Sequence, residues 1–281
     1  MQMKERENIA VLGPAGTFCD QALAQYRAKT GCKDQALYCA SIEGVFHAVA
    51  EGCQRAVVPI ENTLDGYVQV SLDGLLETKA RITGELYVPV QFALVGNVDS
   101  AKDIRRLYVQ FKAKGQCQKA IESLGDVPLM LTESNMESYQ RAEEGREGEA
   151  AIIPQHMYEA SRCRFKQPNV TDAQNNDTRF FVLEAQPGAL QAGTAQKRKM
   201  ALYVLDAADK PGTLFEILRQ FAIHQINLAA LMSRPTKKGM GTYNFYLEVS
   251  VDKAQLPVLQ TTIRALKRDF TLKVLGEYAA L

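Results

Sequence analysis

Residues 9–12 form a short apolar run that ends in Gly13-Pro14-Ala15-Gly16-Thr17, after which Phe18, Ala22, Leu23 and Tyr26 recur at helical spacing. A continuous apolar run that gives way, across a glycine turn, to a period of three to four residues marks a strand, a loop and a helix. A second strand over 36–40 precedes Ser41, whose hydroxyl can cap a helix reaching about Glu51, and a third strand covers 55–59. Strands over 87–95, 107–111 and 127–132 then alternate with helices over 114–124 and 136–143. Strands over 150–153 and 178–184 close the series. This alternation predicts an α/β architecture with mainly parallel neighbours.

Between 187 and 199 the hydrophobic period disappears into Gly, Ala, Gln and basic residues, which marks a linker. Beyond it the pattern reads strand 200–205, helix 211–224 with a proline at its start, strand 226–233, strand 243–251, helix 256–268 and strand 271–276. The order βαββαβ predicts a ferredoxin-like α+β domain at 200–281, with two helices on one face of an antiparallel sheet.

Composition narrows the function classes. With 281 residues, 46% hydrophobic and 23% charged, the chain is expected to fold as two ordinary globular domains. Lys and Arg total 33 against 32 Asp and Glu, so no net field attracts nucleic acid or an anionic membrane. No apolar run approaches the roughly 20 residues of a membrane span, and residues 1–8 are polar and mixed in charge, which points to a cytoplasmic protein. The six cysteines are scattered without a C-x-x-C pair, and the three histidines (His47, His156, His224) sit in no metal or nucleophile motif. A zinc site or a nucleophilic triad therefore has little to draw on.

Three clusters carry candidate chemistry. The loop 13–17 opens a helix, so its backbone N–H groups either meet an anion or make a tight connection. The strand ending in Val58-Pro59-Ile60-Glu61-Asn62-Thr63, followed by Gly66 and Asp73, brings polar side chains to a strand's carboxyl end, where α/β sheets form ligand crevices; a capped turn would use the same residues. The third is Asp172 with Asn175-Asn176-Asp177-Thr178-Arg179-Phe180, a run of amides and a hydroxyl before an apolar strand. Its arginine either forks a carboxylate or is a surface charge.

In this order, GPAGTF, VPIENT with Gly66 and Asp73, and NDTRF closely resemble the motifs of the prephenate dehydratase family. Lys210-Pro211-Gly212-Thr213-Leu214, Ile226-Asn227-Leu228 and Ser233-Arg234-Pro235 resemble those of an ACT domain. The resemblance implies a catalytic domain over 1–186 of two α/β lobes around a cleft, like a periplasmic binding protein. Lobe one would be 1–79 with 171–186 and lobe two 80–170. It implies conversion of prephenate to phenylpyruvate with loss of water and carbon dioxide, without cofactor or metal. The family's essential threonine maps onto Thr178. Around it the resemblance places Gly13, Gly16, Thr17, Glu61, Asn62, Thr63, Gln116, Asn176, Arg179 and Phe180 at the substrate. For the ACT domain it implies feedback by L-phenylalanine in a homodimer or dimer of dimers, through Pro211, Gly212, Thr213, Leu214, Asn227, Leu228, Ser233 and Arg234.

Several positions depart from the family pattern. Val109-Gln110 stand where a Ser-His pair is usual ahead of Gln116-Cys117. A usual histidine after Gly84-Glu85 is missing from the stretch containing Phe92, and Ser134-Asn135 replace a Ser-Thr pair. Thr213 and Met232 replace an alanine and a glutamate of the ACT pattern. The altered second lobe leaves open a related substrate such as arogenate, or an amino-acid sensor without turnover.

Overall fold

An apolar run without alternation suits a strand covered on both faces, and the runs at 9–11 and 56–60 lie fully buried in the middle of the first sheet. The structure, a computed structural model, describes residues 8–186, 196–208, 210–236 and 242–281. The chain begins with β1 (Asn8–Leu12), α1 (Phe18–Thr30), β2 (Gln35–Cys39), α2 (Ile42–Ala50), β3 (Arg55–Asn62), the short β4 (Gly66–Tyr67), α3 (Gln69–Glu77) and β5 (Arg81–Pro89). It then crosses to a second sheet built from β6 (Phe92–Gly96), β7 (Arg106–Gln110), β8 (Leu129–Thr132), β9 (Glu149–Pro154) and β10 (Phe165–Gln167). Helices α4 (Phe111–Gln116), α5 (Gln118–Ser123) and α6 (Asn135–Glu143) accompany that sheet, and β11 (Asp177–Glu184) returns to the first. The sheet orders are β2-β1-β3-β11-β5, with β4 on β3, and β10-β6-β9-β7-β8.

Both sheets are mixed, which corrects the expectation of mainly parallel neighbours. β1 is parallel to β2 and β3, but β11 is antiparallel to both β3 and β5. The cause is topological: β11 re-enters from the other lobe and runs against its neighbours. The single strand expected over 87–95 is two strands in different sheets, parted at Pro89-Val90-Gln91, so β5 belongs to the first lobe and not to the second. The single helix expected over 114–124 breaks at Cys117 (φ −131°, ψ 33°), where Asp172 restarts it by accepting from the N–H groups of Gln118 and Lys119 at 2.7 and 3.1 Å. Helix α3 has no counterpart among the elements expected from the sequence.

The C-terminal sheet comprises β12 (Lys197–Ala208), β13 (Leu228–Pro235), β14 (Thr242–Asp252) and β15 (Thr271–Tyr278), all antiparallel in the order β13-β14-β12-β15. Its helices α7 (Thr213–Ile223) and α8 (Leu256–Asp269) bury Ile217, Phe221, Leu259, Ile263 and Leu266 against Leu202, Val204 and Leu247. The expected linker falls on 187–195, outside the described residues, while Lys197 to Lys199 already belong to β12.

The other face of this sheet packs on the first lobe. Tyr203, Tyr246 and Tyr278 are fully buried in one continuous core with Phe46, Leu72, Leu75, Ile82 and Phe181. The Tyr203 hydroxyl donates to Leu72 O at 2.9 Å, and Lys273 donates to Leu76 O at 2.6 Å and Thr78 O at 2.5 Å. Gly276 on β15 lies so close to β5 that a Cβ there would collide with backbone atoms of Ile82.

Candidate functional site

The end of β3 and the start of β11 pair Asn62 directly with Thr178. Asn62 Oδ1 accepts from the N–H groups of Leu64 and Asp65, both at 3.0 Å, and this turn fixes which end of the amide faces Thr178. Its Nδ2 donates to Asn176 Oδ1 at 2.8 Å and to Thr178 Oγ1 at 3.0 Å. Asn176, itself buried, donates through Nδ2 to Gln116 Oε1 of the second lobe at 3.2 Å. The backbone here is held from both sides. Thr63 Oγ1 donates to Asp177 O and accepts from Asp177 N, each at 3.1 Å, and Val90 N donates to Asn176 O at 2.7 Å where the two lobe crossings meet.

A threonine hydroxyl offers one proton and two lone pairs. At Thr178 one lone pair is occupied by Asn62, and among the described residues the proton has no acceptor. The half-buried side chain is thus oriented by an amide and left with a proton to give.

The glycine loop lies at the neighbouring strand end. Gly13 N donates to Cys39 O at 2.9 Å, Gly16 N to Asp20 Oδ2 at 2.8 Å, and the Thr17 hydroxyl caps α1 by accepting from Asp20 N at 3.4 Å. Gly16 has φ +82°, and a Cβ there would run into Met136 of the second lobe. His156, also from the second lobe, donates from Nε2 to Gly16 O at 3.1 Å, and Phe18 packs edge-on against Phe92 with centroids 5.4 Å apart. Burial lowers the proton affinity of His156 and so favours the neutral ring in this contact. The loop therefore joins the lobes across the cleft.

Comparison with known proteins decides the family. The family model described as prephenate dehydratase matches residues 9–188, and that of the ACT domain matches residues 202–268. The chain belongs to the prephenate dehydratase family. It is 31% identical to the prephenate dehydratase of Methanocaldococcus jannaschii over 94% of this chain and 95% of that one. It is 30% identical to the bifunctional chorismate mutase/prephenate dehydratase of Aquifex aeolicus over 99% of this chain and 75% of the relative. A solved prephenate dehydratase of Arthrobacter aurescens in complex with L-Phe superposes with a TM-score of 0.82 at 27% identity, covering 97% of this chain and 90% of that one.

Against the residues that the family resemblance suggested, the structure gathers Asn62, Gln116, Asn176 and Thr178 into one hydrogen-bonded group, with Thr63 bracing it. It does not bring Arg179, Glu61 or Phe180 there. Successive side chains of a strand point to opposite faces, so Arg179 points away from Thr178 and meets Glu61, Glu85 and Glu248 under the C-terminal sheet. Glu61 pairs with Arg179 in register and is engaged on that same side. Phe180 is buried with Ile9, Val11, Leu86 and Val88 in the core beneath α1. The amides of Gly13 and Gly16 are used within lobe one, which leaves neither free for a carboxylate.

In the ACT domain, Gly212 turns with φ +91° ahead of α7, and Pro211 and Asn227 are exposed. Arg234, expected at the regulatory surface, instead bonds Asp73 of α3 at 2.7 and 3.1 Å, and also Gln69. Met232 packs partly buried on the core shared with lobe one. Of the residues departing from the family pattern, Val109 is buried in β7 and Gln110 caps α4 by accepting from the N–H groups of Lys112 and Ala113. Two residues of the structural network lie outside the sequence motifs: His156, which belongs to no metal or nucleophile pattern, and Glu248. A glutamate amid the alternating apolar positions of β14 is the one sequence signal for the latter.

Proposed function

We propose that the protein is a prephenate dehydratase, with Thr178 as the proton donor. In the reaction the ring carboxylate leaves as carbon dioxide, and its electron pair moves into the ring and expels the hydroxyl opposite. That hydroxyl takes up a proton and departs as water, and phenylpyruvate remains. Hydroxide is a poor leaving group, so a positioned donor is worth about 10²- to 10⁴-fold. A threonine hydroxyl is a weak acid, and it assists here by hydrogen-bonding the developing hydroxide as the proton is passed.

The observation that carries this reading is the Asn62 bond to Thr178 Oγ1 at 3.0 Å, which leaves the hydroxyl proton directed elsewhere. Gln116 accepts from Asn176 through Oε1, and among the described residues its Nε2 donates to nothing, which makes it the candidate donor to a substrate carboxylate. With Arg179 committed elsewhere, these neutral amides are the candidate substrate contacts. The cytoplasm is the proposed location, and no helix among the described residues is long and apolar enough to cross a membrane. The turn at Pro211 to Leu214 with Asn227, Leu228 and Ser233 is the proposed seat of L-phenylalanine between two copies of the chain, in a homodimer or dimer of dimers. The Arthrobacter aurescens prephenate dehydratase, solved in complex with L-Phe, supports a phenylalanine site in this family.

Incubating purified protein separately with prephenate and arogenate, with and without phenylalanine, tests the reading. Phenylpyruvate formation from prephenate, slowed by phenylalanine, is expected. Phenylalanine formed only from arogenate would shift the substrate, and binding without turnover would make the chain a sensor.

A further inference from the structure

Arg179 sits beside Thr178 on β11 yet faces the C-terminal domain. Its side chain is almost wholly buried, its Nη2 is paired with Glu248, Nη1 lies 3.3 Å from Glu61, and the guanidinium stacks 5.0 Å from the ring centre of Phe181. Glu248, on β14, has no exposed surface, and it also accepts from the hydroxyls of Tyr246 at 2.6 Å and Tyr278 at 3.1 Å. Around this carboxylate, Tyr246 and Tyr278 belong to the C-terminal sheet and Arg179 to lobe one, where Tyr67 also stands close to it.

The second carboxylate is held differently. Glu85 on β5 receives Lys199 at Oε1 over 2.7 Å, while its Oε2 is buried without a hydrogen bond. Arg179 Nε is likewise buried without one, and the two atoms face each other at 3.7 Å. An arginine bonded across the domain boundary, paired with Glu61 in its own lobe and left with its Nε unbonded opposite Glu85 has a second seat within reach there. Burying charges costs several kcal/mol per ion, so such a cluster is weak support for stability and better suited to fixing geometry.

We propose that Glu248 is a positioning residue for the dehydration, drawing Arg179 toward the ACT domain and thereby setting the depth at which Thr178 presents its hydroxyl beside Asn62. Without Glu248 to hold it, Arg179 closes on Glu85, and residues 178–179 shift with it. The backbone between Arg179 and Phe180 carries an irregularity in its pairing with β3, so residues 178–179 can adjust without moving the rest of the strand. The inference rests on the reading of Thr178 as proton donor.

Glu248→Gln in the full chain keeps the volume and an acceptor for Tyr246 while removing the charge facing Arg179. The expected result is a kcat lower by about tenfold with KM for prephenate changed by less than about twofold, measured where circular dichroism reports fully folded protein. A purely structural carboxylate would lower the melting temperature and leave kcat per folded molecule untouched, and that outcome overturns the proposal. In an Arg179→Lys background the same substitution should cost clearly less, because contacting residues couple; equal losses in both backgrounds also overturn it. If Glu248→Gln does not fold, Tyr246→Phe carries the test, with kcat reduced about two- to threefold at unchanged KM expected and unchanged kcat contradicting. An inactive Thr178→Ala beside a fully active Glu248→Gln removes the positioning role alone, whereas an active Thr178→Ala removes the reading beneath it.

Discussion

Asn62 concentrates the work of the site in one amide. Its carbonyl end is tied to the turn at Leu64 and Asp65, so its Nδ2 can address Asn176 and Thr178 without rotating away. Removing a preorganised donor of this kind typically costs about 10²-fold in kcat, and Asn62→Ala should show that loss in steady-state assays. Asn62→Asp puts a carboxylate against Thr178 Oγ1, so the hydroxyl proton turns inward to it and activity should fall as well. Asn62, Asn176 and Thr178 stand out in the sequence because polar residues at strand ends are legible by position, whereas Gln116, at the end of a helix, is reached only through the family resemblance. The motifs misplace Arg179 because adjacency in sequence is not adjacency at the site: the two-residue repeat of a strand sends neighbours to opposite faces.

At the scale of elements, the strands and helices with strong apolar periodicity are readable, and the errors fall where a distant residue intervenes. Within 114–124 Gly115 alone hints at a break; the restart is made by Asp172, more than fifty positions on, capping the second helix. Likewise the antiparallel setting of β11 follows from which lobe the chain returns from, a fact no local pattern contains. The contact between β15 and β5 is equally non-local. Gly276 meets backbone atoms of Ile82, which cannot move aside as a flexible side chain can. Gly276→Ala should therefore destabilise by about 1–3 kcal/mol, the usual cost of overpacking, and a lowered midpoint in chemical denaturation would register it. An unchanged midpoint would mean that β15 and β5 separate without penalty.

Across the whole molecule, the ACT-type sheet shares a core and a buried charge cluster with lobe one, while the two lobes of the catalytic domain touch each other through the glycine loop, His156 and Phe18. The Thr178 hydroxyl thus stands between two partners: the second lobe, which reaches Asn176 through Gln116, and the C-terminal sheet, which reaches Arg179 through Glu248. Regulation at a distance needs only that one of these contacts have two arrangements, since a ligand acts by favouring one state over the other. The decisive experiment is the turnover number of Thr178→Ala on prephenate, taken alongside its thermal midpoint. With Thr178 as the donor, kcat falls at least about 10²-fold, while the midpoint drops by no more than the loss of one hydrogen bond, about 1 kcal/mol, allows. A folded Thr178→Ala protein that turns over prephenate as fast as its parent would contradict that role.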